Sequence, residues 1–508
     1  MASRTGKIAA IAAACSVGLL IIGSLGFLQP HANFAKLTAA DLAALRFTLL
    51  QAALSAATSC LLAVPLARAL FRARFWGRGA LIRLISAPFI LPSLAAVLGL
   101  LAIFGRGGVL NNALAAIGAP QISIFGLGGV VLAHIFLNLP LATRMLLNGW
   151  ADIPAERFRL AQSLSFGGSA IFMYLEWPLL RALLPSASAV IFLVCLTSFS
   201  VALILGGGPR ATTIELGIYQ SLRFEFDLSR AANLALMQTA LCFMATLAMT
   251  AVWQPSGFGT GLDRRVLLRG AWPDGFIIAL ATLFFALPLG AIAARGITGL
   301  IDLPNGFWMA AGRSIFIAVL SAFLATWAAL MLAMARARGA GIWAELAAML
   351  PLGTSSLALG VGAFLALRPV MPPQNAALIL AIFFNAAMAL PFLYRLILPN
   401  CRAIEVGYSW LMASLGMSSW AMLRLVFLPR LAPILGFSMG LSAAMALGDF
   451  GVIALFGAAD QQTLPILAAR LMGAYQMGAA ASVTLWLVLI AFVLFWLFDH
   501  LGGRDAGA

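Results

Sequence analysis

The stretch AERFRLAQSLSFGGSAIFMYLEWP (155–178) interrupts an otherwise apolar chain with charges and paired glycines, and VGYSWLMASLGMSSWAMLRLVFLP (406–429) repeats its rhythm 251 positions later. That shift carries well beyond the two stretches. It places Pro140 on Pro391, Arg144 on Arg395, Ser163-Leu164 on Ser414-Leu415, Pro178 on Pro429, Phe199 on Phe450, Val201 on Val452 and Gly206 on Gly457 without a gap. Upstream it drifts to 263, where Ser93-Leu94-Ala95 and Gly99 meet Ser356-Leu357-Ala358 and Gly362, and to 266, where Leu54-Ser55-Ala56 meets Leu320-Ser321-Ala322. Self-similarity of this kind makes the chain two copies of one unit, with drift confined to loops.

The residues between these landmarks set the solvent. The chain is 63% hydrophobic and 9% charged, and runs such as IAAIAAACSVGLLIIGSLGF (8–27) and SVTLWLVLIAFVLFWLF (482–498) are continuous rather than alternating. A bilayer-crossing helix needs roughly 20 mostly apolar residues, and backbone groups that lipid cannot hydrate must pair within the segment. The runs therefore predict twelve spans. Six lie near 8–27, 47–68, 84–104, 123–146, 182–205 and 231–253, and six near 274–294, 313–334, 345–367, 375–397, 432–456 and 478–498. The fold class is an all-α polytopic membrane protein of twelve transmembrane helices.

An even number of spans per copy makes the halves parallel repeats about an axis along the membrane normal. The first half is 1–253, the polar segment 254–272 is a cytoplasmic linker, and the second half is 273–508. With the N-terminus inside, the cytoplasmic loops hold most of the 31 Lys and Arg, including Arg72, Arg74, Arg78, Arg264, Arg265, Arg269, Arg336 and Arg338. This bias places both termini in the cytoplasm.

Several other functions fall away on the same residues. The net charge of +15 is spread over many short loops, so the loop bias accounts for it and no nucleic acid is expected. The opening MASRTGK followed by an apolar run could head a secretory signal, but its length and the even span count favour an uncleaved first span. Cys15, Cys60, Cys195 and Cys242 fall in spans and Cys401 at a cytoplasmic edge, so no disulfide is expected. With His31, His134 and His500 far apart, neither a metal site nor a cofactor is expected. A phosphate-binding loop needs Gly-Lys-Ser/Thr. The lysines here are Lys7 and Lys36, and Gly6-Lys7 is followed by Ile8, so any ATP hydrolysis belongs to a separate subunit.

The opening stretch reads as a short helix at the cytoplasmic surface. Asp152, Pro154 and Glu156 form a helix start. Leu160, Ala161 and Leu164 share one face while Arg157, Arg159 and Gln162 point elsewhere, and Gly167-Gly168 ends the element. Such a helix can rest on lipid headgroups, but its recurrence at a fixed phase of the repeat favours a protein partner.

Both stretches resemble the EAA motif, the cytoplasmic signature loop of bacterial ABC importer permeases: Glu-Ala-Ala, three residues, Gly, nine residues, then Ile-x-Leu-Pro. In the second copy Gly416 to Pro429 keeps that spacing, with Val426 and Leu428 in the Ile and Leu places. In the first, Ser165 stands at the Gly position and Pro178 closes the segment. The signature Glu is replaced by Arg159 and Trp410, and Ala161 keeps the alanine pair in part. The stretches SLSFGGSAIFMYLEWPLLRALLP (163–185) and LGGGPRATTIELGIYQSLRFEFDLSRAANLALMQ (205–238) are similar to the fused two-half permeases for thiamine and thiamine pyrophosphate. The ferric-iron permeases share that fusion.

The resemblance implies a type I, MetI-like ABC importer permease in a bacterial inner membrane, working by alternating access on thiamine or thiamine phosphates, with ferric iron as the alternative cargo. It implies three partners: an ATP-binding cassette ATPase, as a homodimer; a periplasmic substrate-binding protein; and membrane lipid. It makes coupling helices of 152–168 and 402–419. The coupling residues are then Glu156, Arg159, Ala161, Ser165, Gly167 and Pro178 in the first copy, and Trp410, Ala413, Gly416 and Pro429 in the second. No catalytic residue is assigned. An ion-coupled secondary transporter, the alternative of another class, needs midplane carboxylates or histidines, for which mainly Asp449 is available. A membrane enzyme needs convergent acid, base or metal groups that the sequence does not offer.

By the same resemblance Ser198 and Phe199, with Asp449 and Phe450 in ALGDFGVIALFG (446–457), lie on the translocation path or its gate. Two other readings stay open: Asp449 as the cap of a broken helix, and the phenylalanines as core aromatics. His134 reads as a packing histidine, and Arg144 and Arg395 as headgroup anchors. Glu215, Glu225 and Asp227 fall in an outer loop that either faces a soluble binding protein or is simply solvated.

Overall fold

The computed structural model describes residues 4–34, 37–73, 75, 78–79, 81–82, 91–151, 153–206, 208, 211–252, 272–300, 303–456 and 461–503. Its regular structure is helical, with no strand among the described residues. The first copy runs α1 (Arg4–Gly26), α2 (Ala39–Arg72), α3 (Ser93–Phe104), α4 (Val109–Ala116), α5 (Leu127–Ala151), α6 (Ala155–Ser163), α7 (Gly168–Leu196), α8 (Ser200–Leu205), α9 (Ile214–Gln220) and α10 (Leu228–Val252). The second runs α11 (Trp272–Ile297), α12 (Phe307–Ala337), α13 (Trp343–Met349), α14 (Ser356–Leu367), α15 (Ala377–Ser414), α16 (419–447), α17 (Gly451–Phe456), α18 (Leu464–Gly473) and α19 (Met477–Gly503). The five-residue turns Phe172–Glu176 and Leu423–Phe427, inside α7 and α16, are π-helical.

Among the described residues 11 helices are long and apolar enough to cross a bilayer, and the number reaches 12 if one bent pair is a single span. That pair is Trp343–Gly353 with Ser356–Leu367, which turn through 90°. The straight span expected over 345–367 is therefore broken. Ser355 starts the second limb, its side chain accepting from the Ala358 N–H at 3.1 Å, as a capping serine does.

Each copy's fifth span begins earlier than expected: at Gly168 rather than 182, and at Ser419 rather than 432. Pro178 and Pro429 do not close their segments. Each is the second residue after a π-turn, inside a helix that continues. A proline offers no N–H to the turn below, and the wider π-turn absorbs that mismatch without ending the helix. The apolar run fails to mark these starts because Arg181, Glu176 and Arg430 dilute it.

Packing divides the chain into two compact units. One comprises Met1–Leu42, Ile214–Phe243 and Arg295–Ala508, the other Ala43–Thr213 and Met244–Ala294. This division differs from the sequence halves, because α1 belongs to the unit with most of the second copy and most of α11 to the unit with most of the first. Matched glycines mark where these helices dock. A Cβ on Gly99 would stand 2.9 Å from the Pro288 carbonyl oxygen of α11, and one on Gly362 would collide with the Ser24 carbonyl oxygen of α1. Only a residue without a side chain admits backbone that close. The α11 contact continues through Phe136, whose ring lies 5.4 Å from Phe285 and 5.7 Å from Phe284.

Candidate functional site

The two loops after the fourth spans end in the same turn. Ser165 has φ 54° and Gly416 has φ 55°, both left-handed. In the first loop the Phe166 N–H donates to the Ala161 carbonyl at 2.9 Å and the Ser165 N–H to Gln162 at 3.0 Å. In the second the Met417 N–H donates to Met412 and the Gly416 N–H to Ala413, each at 3.1 Å. This is a Schellman-type helix end, in which the left-handed residue lets two following amides satisfy the last carbonyls. Gly167 and Ser418 then cap the next helices at matched places. Nothing lies within 4 Å of a Cβ built on Gly416, so backbone conformation rather than crowding favours glycine there, and Ser165 bears the same strain.

The helices leading into these turns differ. In the first copy α5 stops at Ala151, Pro154 is extended (φ −55°, ψ 133°), and α6 starts afresh with Glu156 in its first turn. Asp152, expected as a cap, lies outside the described residues. In the second copy the position of Pro154 holds Glu405, and α15 runs unbroken for 38 residues through the segment expected as a separate helix at 402–419. Pro140 and Pro391 sit inside intact helices. At those apolar depths a break would strand carbonyls in lipid, whereas at Pro154 water can take them.

The buried face of α6 also differs from expectation. Phe158 and Ala161 are buried while Leu160 and Leu164 are 60% and 58% exposed. Phe158 packs 6.0 Å from Phe71, which stacks on Trp150. Along the end of α15 the buried stripe is Cys401, Ile404 and Met412, a helical spacing whose Ile404 and Met412 match Ile153 and Ala161. Glu156, Arg159, Ser165 and Gly167 of the first loop are exposed, as are Ala413 and Gly416 of the second. Val406 and Trp410 are 86% and 87% exposed. Pro178 and Pro429 are exposed as well.

Arginines at the ends of the second spans tie these loops down. Arg68 of α2 pairs with the buried Glu176 at 2.6 Å, donates to the Gly168 carbonyl at 3.3 Å and lies over the Phe172 ring. Arg338, just beyond α12, stands 3.5 Å from Glu405 and reaches the Met422 sulfur. Neither tether shows in the sequence, because its partners are some 70 to 110 positions apart.

The second matched feature is a break at the end of each fifth span. Thr197–Phe199 separates α7 from α8, and Gly448–Phe450 separates α16 from α17. Ser198 and Asp449 lie in these breaks half-buried, and Phe199 and Phe450 are both 7% exposed. Asp449 Oδ1 accepts the Gly451 N–H at 3.2 Å. The carboxylate thus does cap the short helix that follows, while its Oδ2 is buried without a hydrogen bond. His134 is satisfied on both ring nitrogens, Nδ1 at 3.1 Å from Ser55 Oγ and Nε2 at 2.8 Å from Ser198 Oγ. It is a packed histidine as expected, and it packs on the break.

The three acids expected in an outer loop separate. Glu215 is 1% exposed on α9, facing Gln238 and Ser355, and burial pushes its carboxyl up to about 8. It is no surface contact. Glu225 pairs with Arg230 at 2.6 Å, Arg230 also holds Asp41 at 2.9 Å, and Asp227 accepts the Arg230 N–H. Arg144 is exposed and Arg395 half-buried, both within apolar helices. Among the described residues no group of three or more His, Cys, Asp and Glu side chains is placed to hold a metal ion.

Long apolar helices, duplicated loops with a common turn and duplicated breaks at the ends of matched spans define a duplicated multi-pass membrane protein, and its relatives are transport permeases. No protein-family model matches the chain. It is 38% identical over 471 residues to the thiamine transport system permease protein ThiP of Brucella abortus, covering 90% of this chain and 87% of that one. It is 38% identical over 478 residues to the protein of the same name from Escherichia coli (91% and 89%). Against that of Haemophilus influenzae it is 33% identical over 472 residues (89% and 87%). The chain belongs to the thiamine transport system permease family.

Proposed function

We propose that this chain is the permease subunit of a binding-protein-dependent ATP-binding cassette importer, set in a bacterial inner membrane with both termini cytoplasmic, carrying thiamine or its phosphates inward. The halves 1–253 and 273–508 each supply one coupling element, and 254–272 tethers them. A separate pair of ATPase subunits, closing on ATP, moves both elements, and the spans rock about the path in alternating access. A periplasmic binding protein delivers the cargo.

The observation that carries this reading is the pair of exposed loops closed by one left-handed turn, the second at the tip of a 38-residue helix. Such a helix is about 57 Å long against a hydrocarbon core of about 30 Å, and a tilt near 20° accounts for only ~2 Å of the excess. Val406 and Trp410 thus stand beyond the lipid core with their apolar surface bare, which supports a protein partner there. Ser198 with Phe199, and Asp449 with Phe450, are the gate segments of their respective copies. Aromatic faces and one acid with an unshared oxygen suit an organic cation leaving water.

Matched exposed serines provide the test. Cysteines at Ser163 and Ser414, in a background without the native thiols, are expected to react with an impermeant maleimide from the cytoplasmic side only. Adding the ATPase subunit is expected to protect both. Reaction from outside, or no protection at either site, refutes the docking.

A further inference from the structure

We propose that His134 is a positioning residue that latches the first gate segment, Thr197–Phe199, to the fourth span. The proposal rests on the gate assigned above. It begins from what a break costs: where a helix ends at membrane depth, its last carbonyls and the following amides lose their partners, and neighbouring side chains must supply them. In the first copy polar side chains gather at the break. His134 of α5 bridges Ser55 of α2 and Ser198 of the break, at 3.1 and 2.8 Å. The Gln51 side-chain amide donates to the Cys195 carbonyl at 2.9 Å. Asn138 donates to the His134 carbonyl at 3.0 Å and lies 3.4 Å from the Cys195 sulfur. Gln51, Ser55, His134, Asn138 and Cys195 are all buried. An ionisable side chain kept at this depth, with both nitrogens committed, is a costly choice for mere packing.

The repeat singles out the same pair of positions again. The 251 shift that carries Ser198 to Asp449 carries His134 to Asn385. Asn385 is buried on α15 near the Asp449 carboxylate, with the Asn385 Nδ2 and the Asp449 Oδ2 both buried and without a hydrogen bond. The residue types have changed in concert, from imidazole and hydroxyl to amide and carboxylate, while both matched positions stay polar. Neither substitution would be required of a plain hydrophobic core.

The latch connects gate to loop. In the second copy Asn385 and Ser414 lie on one uninterrupted helix, about 44 Å apart at 1.5 Å per residue, so a push at the loop end moves the gate end directly. In the first copy α5 carries His134 toward the extended Pro154, and the push passes through that bend.

The test reads the break itself. A cysteine replaces Ser200, the first residue of α8 and 8% exposed, with the native cysteines changed to serine. Its reaction with N-ethylmaleimide is followed in the full chain in liposomes. His134→Leu, which removes one buried hydrogen bond to the break, is expected to speed labelling about tenfold. His134→Gln, which keeps a donor and an acceptor in reach, is expected to stay within about twofold of the parent. If His134→Leu fails to insert, Ser198→Ala removes the other partner at almost no change in volume and carries the same tenfold expectation. Parental rates in the Leu and Ala variants overturn the latch. So does fast labelling in the Gln variant, which would make ring shape the determinant. Labelling needs neither cargo nor ATPase, so failure of the transport reading leaves this result legible.

Discussion

Trp410→Ala is expected to leave the protein inserted while weakening its binding to the ATPase subunit by about 30-fold, the equivalent of about 2 kcal/mol. Large aromatics that fill a partner's pocket dominate interface energies. Trp410 is 87% exposed at the tip of a helix whose opposite face is fixed by Cys401, Ile404 and Met412, so it is both rigid and available. Its match in the first copy is Arg159, exposed and charged. A surface charge facing water has little to lose on truncation, and Arg159→Ala is expected to weaken binding less than about threefold. The account thus predicts unequal loops, with the second supplying most of the affinity. Co-purification across a titration of the ATPase subunit measures both. Equal losses would contradict the unequal division between the loops, and no loss at Trp410 would leave that face as a headgroup contact.

Glu405→Pro is expected to abolish transport while ATP hydrolysis continues. It places in the second copy the residue that stands at the bend of the first, at a depth where water can hydrate the freed carbonyl, and an interior proline costs about 3 kcal/mol or more. The unbroken lever of α15 is then lost. Glu405→Ala separates this from loss of the Arg338 contact. It removes a 3.5 Å ion pair whose partners are 11% and 24% exposed but keeps the helix continuous. The Ala variant is expected to retain at least about half the parental uptake, the Pro variant less than about a tenth. The ratio of cargo moved to ATP hydrolysed distinguishes them. Equal behaviour would assign the role to the ion pair rather than to helix continuity.

What was legible in the sequence follows from what composition and spacing can encode. Apolar runs locate spans because lipid tolerates little else, and the 251 shift aligns the two loops so well that Ser165 falls on Gly416, where the backbone is left-handed in both. The shift also paired Ser198 with Asp449, but both were expected inside the continuous spans 182–205 and 432–456, and the breaks there show only in the fold. Features set by hydrogen-bond ring size or by distant partners were not legible either. The π-turns before Pro178 and Pro429 carry no compositional mark, so the fifth spans seemed to start late. The hydrophobic stripe on α6 pointed to Leu160 and Leu164, but α6 is anchored by Phe158 against Phe71, a residue 87 positions away. His134 and Ser198 are likewise joined only by the fold. Glu215 looked like a surface acid because its neighbours do, and only the packing of α9 shows it buried.

Under the proposed function, ATP hydrolysis on a partner drives an organic cation inward through this chain. The most direct measurement is uptake of radiolabelled thiamine by liposomes containing the permease with its ATPase subunits inside and its binding protein outside. The account predicts accumulation above the external concentration that requires both ATP and the binding protein and is lost in Trp410→Ala. Uptake driven by an ion gradient without ATP, or ATP-driven uptake of ferric iron with none of thiamine or its phosphates, would contradict it.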